Sequence, residues 1–181
     1  MAYNRACHPS TDRASLRMRL NRQRAADRAA PVFVVLALLI AGLVHPAHAM
    51  RRDTLKLVTS QGVKQISVEV TETQQEKATG LMFRTALADN AGMLFFYDAP
   101  QEITMWMRNT YIPLDMVFIR ADGRVHRIET RTEPLSDAII ASHGNVTACL
   151  ELAGGAAERL GLNVGDRVEY RLFAAGGTRR R

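Results

Sequence analysis

Cysteine is scarce in this 181-residue chain: Cys7 and Cys149 are the only two. Cys7 falls in an Arg-rich leader, so the body carries a single thiol and closes no internal disulfide. The fold must therefore rest on its core. Familiar catalytic signatures are also missing. There is no G-x-S-x-G, no H-E-x-x-H, no C-x-x-C and no phosphate loop, which removes the best-marked hydrolase, peptidase, redox and nucleotide-binding classes. Long apolar runs are lacking too. The longest, residues 32–44 (VFVVLALLIAGLV), has thirteen residues. A helix of that length covers ~20 Å of a bilayer core about 30 Å thick. A multispan membrane protein is excluded. A disordered chain is excluded as well, at 47% hydrophobic and 23% charged residues.

The formal net charge is +6, but it is unevenly placed. Residues 1–50 hold seven Arg and two Asp, and Arg179, Arg180 and Arg181 close the chain. Between 51 and 178 there are 14 basic and 16 acidic residues. A slightly acidic body gives no electrostatic footing for nucleic acid.

An Arg-rich segment, a short apolar core and Ala47-His48-Ala49 come in the order of a secretory signal peptide. Cleavage is expected between Ala49 and Met50. Translation from Met18 gives a leader of more usual length than translation from Met1. The other reading is an uncleaved leader that anchors the chain to the inner membrane, and this would be its one membrane contact. Residues 1–49 are thus assigned as leader, 50–173 as a single β-rich domain, and 174–181 as a flexible basic tail. A periplasmic or secreted location follows.

Along the body, Leu55 and Leu57, then Ile66, Val68 and Val70, alternate with polar residues around Gln61-Gly62, which reads as two strands. Thr73-Gln74-Gln75-Glu76 is a capping box for a short helix that Gly80 ends. Gly92–Tyr97 reads as a strand buried on both faces, and Ile103–Arg108 and Met116–Arg120 read similarly. Asp122-Gly123 marks a hairpin, with a bulge near Arg127. Asn145–Leu152 alternates, Ala153–Leu160 is a short helix before Gly161, and Arg167–Phe173 is a last strand. Seven or eight short strands and two short helices predict a mainly β fold, an antiparallel sandwich or open barrel.

Several blocks come in a recognisable order: Gly80-Leu81-Met82-Phe83-Arg84, Gly92-Met93-Leu94-Phe95, Trp106-Met107-Arg108-Asn109-Thr110, Pro113-Leu114-Asp115, Leu150-Glu151-Leu152 and Gly165-Asp166. Together they resemble the domain of unknown function 192 family over roughly residues 54–172. The resemblance implies a small β-rich domain, common on exported bacterial proteins, and brings no agreed catalytic residue. Cys149 replaces an aliphatic residue and Arg108 a lysine of that pattern.

Candidate ligand-binding residues are Arg84, Trp106, Asn109, Thr110, Asp115 and Glu151. The loop Asn109–Asp115 is stiffened by Pro113, and rigid loops carry function; the plain alternative is a long turn satisfying its own backbone. Trp106 is the only tryptophan, and its plain reading is a core aromatic. Alternatively it lines a pocket or lies under Arg108. Arg84 is expected to pair with Asp115 or Glu151. Cys149 reads as a small buried residue, since a carboxylate neighbour works against an activated thiol.

The expected function is non-enzymatic binding of a small ligand or peptide, with no cofactor. A second reading is a copper(I) protein using the thioethers of Met82, Met93 and Met107, with Met105 nearby. A third is a hydrolase or lyase using Asp115 and Glu151 as a carboxylate pair.

Overall fold

The computed structural model describes residues 50–173. The leader and the basic tail lie outside the described residues. Strands β1 (Arg51–Thr59) and β2 (Gly62–Thr71) form the first hairpin. Helix α1 (Gln74–Thr79) follows, then β3 (Ala91–Met105), β4 (Leu114–Ile119), β5 (Val125–Glu129) and β6 (Ile140–Ala153). Helix α2 (Ala156–Arg159), β7 (Arg167–Glu169) and a 3-10 turn (Arg171–Phe173) finish the described chain. The last strand is shorter than its apolar pattern indicates, because the chain leaves the sheet at Tyr170.

The seven strands of the described residues form one curled sheet in the order β5-β4-β6-β3-β2-β1-β7. Its two edges meet where Arg124 bridges Arg167. The seam is built from backbone groups: Val125 donates to Asp166 O at 2.9 Å, and Val168 to Gly123 O at 2.8 Å. Gly123 has φ +82°, and a Cβ there would lie 2.6 Å from Val168 O, so the seam needs a glycine. The expected bulge is present: Phe118 pairs with Arg127 and Ile119 with Val125, leaving His126 extra. One pairing departs from the antiparallel expectation. β2 and β3 run parallel, since the crossover through α1 brings the chain back to the middle of β2, where Ala91 pairs with Ser67.

Each face of the sheet meets its own core. Leu55, Val68, Leu94, Val117, Leu150 and Val168 belong to the cluster inside the curl. Met93, Phe95, Met116, Phe118 and Cys149 face a second cluster, covered by Leu81, Ile103 and Met107. This is why Gly92–Phe95 is buried continuously and why Cys149 is buried as expected. Both faces of β6 are buried around Cys149–Leu152, so its alternation separates two cores rather than core from water. No helix among the described residues is long and apolar enough to cross a membrane.

Candidate functional site

Glu151 sits at the middle of the second face. Register pairs Glu69 with Met93, Met93 with Glu151, and Glu151 with Met116. These four residues form a row across β2, β3, β6 and β4 on one side of the sheet. Glu151 is only 4% exposed, and among the described residues its Oε2 has no hydrogen-bond partner. Burial pushes its carboxyl up to about 8. Leaving a buried polar atom unpaired costs about 1–3 kcal/mol. Such a group in a native fold calls for an explanation.

Beside it lies a cavity of about 220 Å³. Helix α1 and its end supply Lys77, Gly80 and Met82 to the wall. Strand β3 supplies Phe95, Tyr97 and Met105. Trp106, Thr110 and Ile139 complete the mouth, and Glu151 belongs to the lining. Local sequence explains the placement. Thr73 Oγ1 accepts from Glu76 N at 3.1 Å, and Glu76 Oε2 accepts from Thr73 N at 2.8 Å, so the capping box fixes the start of α1. Gly80 then brings the helix against Phe95, whose ring would lie 3.0 Å from any Cβ there. Lys77 Nζ rests over the Tyr97 ring at 4.4 Å. Burial, and then the charges of Cys149 and Glu151, push the Tyr97 phenol up.

Three loops brace the mouth. Phe83 N donates to Asn109 O at 2.8 Å, Leu135 N to Thr110 O at 3.0 Å, and Met107 N to Ser136 O at 3.0 Å. Phe83, Asn109 and Leu135 all have positive φ. For Phe and Leu that is strained backbone, and such strain persists where surrounding structure enforces it. Phe83 also meets Tyr111 edge-on at 6.0 Å.

Of the six candidate ligand residues, Trp106, Thr110 and Glu151 line this cavity. Trp106 is no core aromatic: it is 44% exposed. It follows the end of β3 and stacks under Arg108, whose guanidinium carbon lies 4.9 Å from the ring. Arg108 in turn binds Asp137 at 2.7 Å. Asn109 stands behind the mouth, its amide 3.9 Å from Met82 Sδ.

Two expectations are corrected. Arg84 pairs with neither Asp115 nor Glu151. It grips Glu69 through two bonds of 2.8 and 2.5 Å, and these hold the Glu69 carboxyl below its ordinary range. Asp115 does not belong to the cavity. It pairs in register with Leu152, on the face opposite Glu151. Its oxygens accept from Arg131 N, Gly155 N and Ala157 N at 2.8–2.9 Å. Asp115 therefore organises the start of α2, whose own N-cap is a glycine. A carboxylate pair made of Asp115 and Glu151 is ruled out by this register.

The methionines divide as well. Met82 and Met105 line the cavity, whereas Met93 and Met107 are fully buried in the second core. Met107 Sδ accepts from Thr132 Oγ1 at 3.1 Å. The copper set Met82, Met93 and Met107 thus shares no cavity lining. Among the described residues no three His, Cys, Asp or Glu side chains are placed to hold a metal ion. Sequence reasoning missed Lys77 and Tyr97. Lys77 is a polar helix residue like its neighbours, and Tyr97 only closes an apolar run.

The fold is shared with solved structures. A protein of unknown function from Novosphingobium aromaticivorans DSM 12444 is 39% identical, with a TM-score of 0.66 over 70% of this chain and 91% of that one. A Sinorhizobium meliloti 1021 protein, provisionally assigned as a transcription regulator, is 38% identical, with a TM-score of 0.65 over 67% of this chain and 95% of that one. No curated protein matches. The family described as Uncharacterized ACR, domain of unknown function 192, matches residues 56–170. The chain belongs to that family.

Proposed function

We propose that this is an exported binding domain, and that the cavity over Glu151 holds a small ligand. The observation that carries the reading is the buried Glu151 carboxyl, whose Oε2 finds no partner among the described residues, in a lining that mixes aromatic and apolar side chains with Lys77 and three threonines. A concave site with convergent polar groups and a perturbed titratable residue is a usual form of a ligand pocket. Strained, cross-braced loops at the mouth support a site held ready in advance. At about 220 Å³ the space suits a metabolite-sized molecule, since a cavity of about 150 Å³ already accepts benzene. Nucleic acid is not the expected partner, because residues 50–181 carry 17 basic and 16 acidic side chains.

Export rests on the leader pattern. Cleavage after Ala49 falls just before β1, which starts at Arg51, and leaves the sheet whole.

Trp106 is a built-in reporter. A panel of small metabolites is titrated against its fluorescence, in the native protein and in a Glu151→Gln, Thr110→Ala double variant that keeps the indole. Ligands that shift the Trp106 signal and bind the variant at least tenfold more weakly support the reading. A panel that leaves Trp106 unmoved, or binds both proteins equally, removes the site.

A further inference from the structure

We propose that the ligand is a small amino acid or similar zwitterion, with its ammonium group on Glu151, its carboxylate toward Lys77 and its side chain against Trp106. The inference rests on the binding reading above and names the ligand class for the same cavity. Among the described residues two formally charged side chains line it, Lys77 and Glu151, and they are of opposite sign. A molecule carrying both charges complements both ends, whereas a simple acid or a simple amine complements one.

The floor favours an ammonium in particular. The free Oε2 of Glu151 is a buried acceptor without a donor. An ammonium supplies up to three donors and the compensating charge. Trp106 and Tyr97 add aromatic surface to the wall, and each ring already carries one protein cation, Arg108 and Lys77 respectively. The guanidinium that stands closest in sequence, Arg108, is turned to Asp137 and stays out of the lining. The outer end is served by Lys77, held over Tyr97 on the short helix α1.

Binding then moves a proton. The titratable groups coupled to the Glu151 carboxyl are Tyr97 from β3 and Cys149 from β6, β4 presents Met116, and Lys77 of α1 lines the same cavity. Burial and the nearby Glu151 charge push the Cys149 thiol up, as burial does the Tyr97 phenol, so near pH 7 neither competes for the proton. Free Glu151 is largely protonated at pH 7. An arriving ammonium keeps its own protons and stabilises the carboxylate, so the Glu151 proton leaves to buffer.

Calorimetry with the purified protein tests this at pH 7, in two buffers of different ionisation heat. The probes are L-leucine, isoamylamine (no carboxylate) and 4-methylpentanoate (no amine). L-Leucine is expected to bind with release of roughly one proton. Isoamylamine is expected to bind about tenfold more weakly and 4-methylpentanoate about 100-fold more weakly or not at all. Glu151→Gln removes an uncompensated buried acid, so the variant folds; it should lose the proton release and weaken L-leucine at least tenfold. Lys77→Met should weaken L-leucine and spare isoamylamine. Tighter binding of the acid than the amine, or proton uptake, overturns the assignment. If these three probes fail while other metabolites shift Trp106, the ligand class falls and the binding reading stands. If no metabolite of any class shifts Trp106, both fall.

Discussion

Asp115 and Glu151 lie one register step apart on neighbouring strands, yet face opposite sides of the sheet: Asp115 pairs with Leu152, and Glu151 with Met116. One carboxylate is enclosed by three backbone donors; the other has a free oxygen. Substitution should therefore act in opposite directions. Asp115→Ala strands three N–H groups and is expected to cost about 3 kcal/mol or more. Glu151→Gln is expected to stabilise the fold at pH 8. Urea unfolding midpoints of the two variants check the signs.

The raised Glu151 carboxyl also sets a pH window. Its ordinary value is near 4.5 and its folded value about 8. Between these the unfolded chain has lost the proton and the folded chain keeps it. Stability therefore falls as pH rises through that window, by up to about 1.4 kcal/mol per unit from this group. Below pH 4.5 its contribution is flat, because both states are protonated. Unfolding curves at pH 5 and pH 8 should show the decline in the native protein and lose most of it in Glu151→Gln. An equal decline in both assigns it elsewhere.

Glu69 has the reverse sign. Arg84 holds its carboxyl below the ordinary value, so the stabilisation is complete above about pH 4.5 and disappears as pH drops through the folded value. The pair is partly exposed, with side chains 34% and 17% accessible, so a modest coupling of about 1 kcal/mol is expected. A double-mutant cycle with Arg84→Met and Glu69→Gln should give that coupling at pH 7 and a progressively smaller one as the pH is lowered below about 4.5.

Gly123→Ala tests the seam between the sheet edges. The new Cβ collides with Val168 O, and the φ of +82° strains it further. The expected loss is about 1–3 kcal/mol. Amide exchange should quicken at Val168, which donates across the seam, more than at β3 and β6. Uniform quickening would mean the seam opens only with the whole fold.

Mass spectrometry of the protein expressed with its leader should find Met50 as the mature N-terminus, in the periplasmic fraction. An intact leader in the membrane fraction would instead support the anchored form.

The strands were legible because each half-wet stretch alternates plainly, as Leu55 to Val70 does. Direction was not. Alternation is the same for a parallel and an antiparallel neighbour, so the β2–β3 pairing had no signature. For Trp106 only the core-aromatic reading fails: the apolar stretch continues through it, but β3 stops one residue earlier, at Met105, and frees the indole. Asp115 and Glu151 look alike in sequence, each acid set among apolar residues. Only register separates the structural carboxylate from the one at the cavity. Lys77 reaches the same wall because Gly80 seats the helix on Phe95.

The strand order has a consequence during synthesis. β6 lies between β3 and β4, although both precede it in the chain. Until residues 140–153 emerge, these two strands have no shared partner, and the inward edge of β3 stays open. The part of the body that precedes β6, residues 50–139, therefore cannot complete the native sheet ahead of the rest. Under the export proposed above, that delay would keep the leading portion loose enough to pass. It also leaves an adhesive strand edge that a holding chaperone would need to shield.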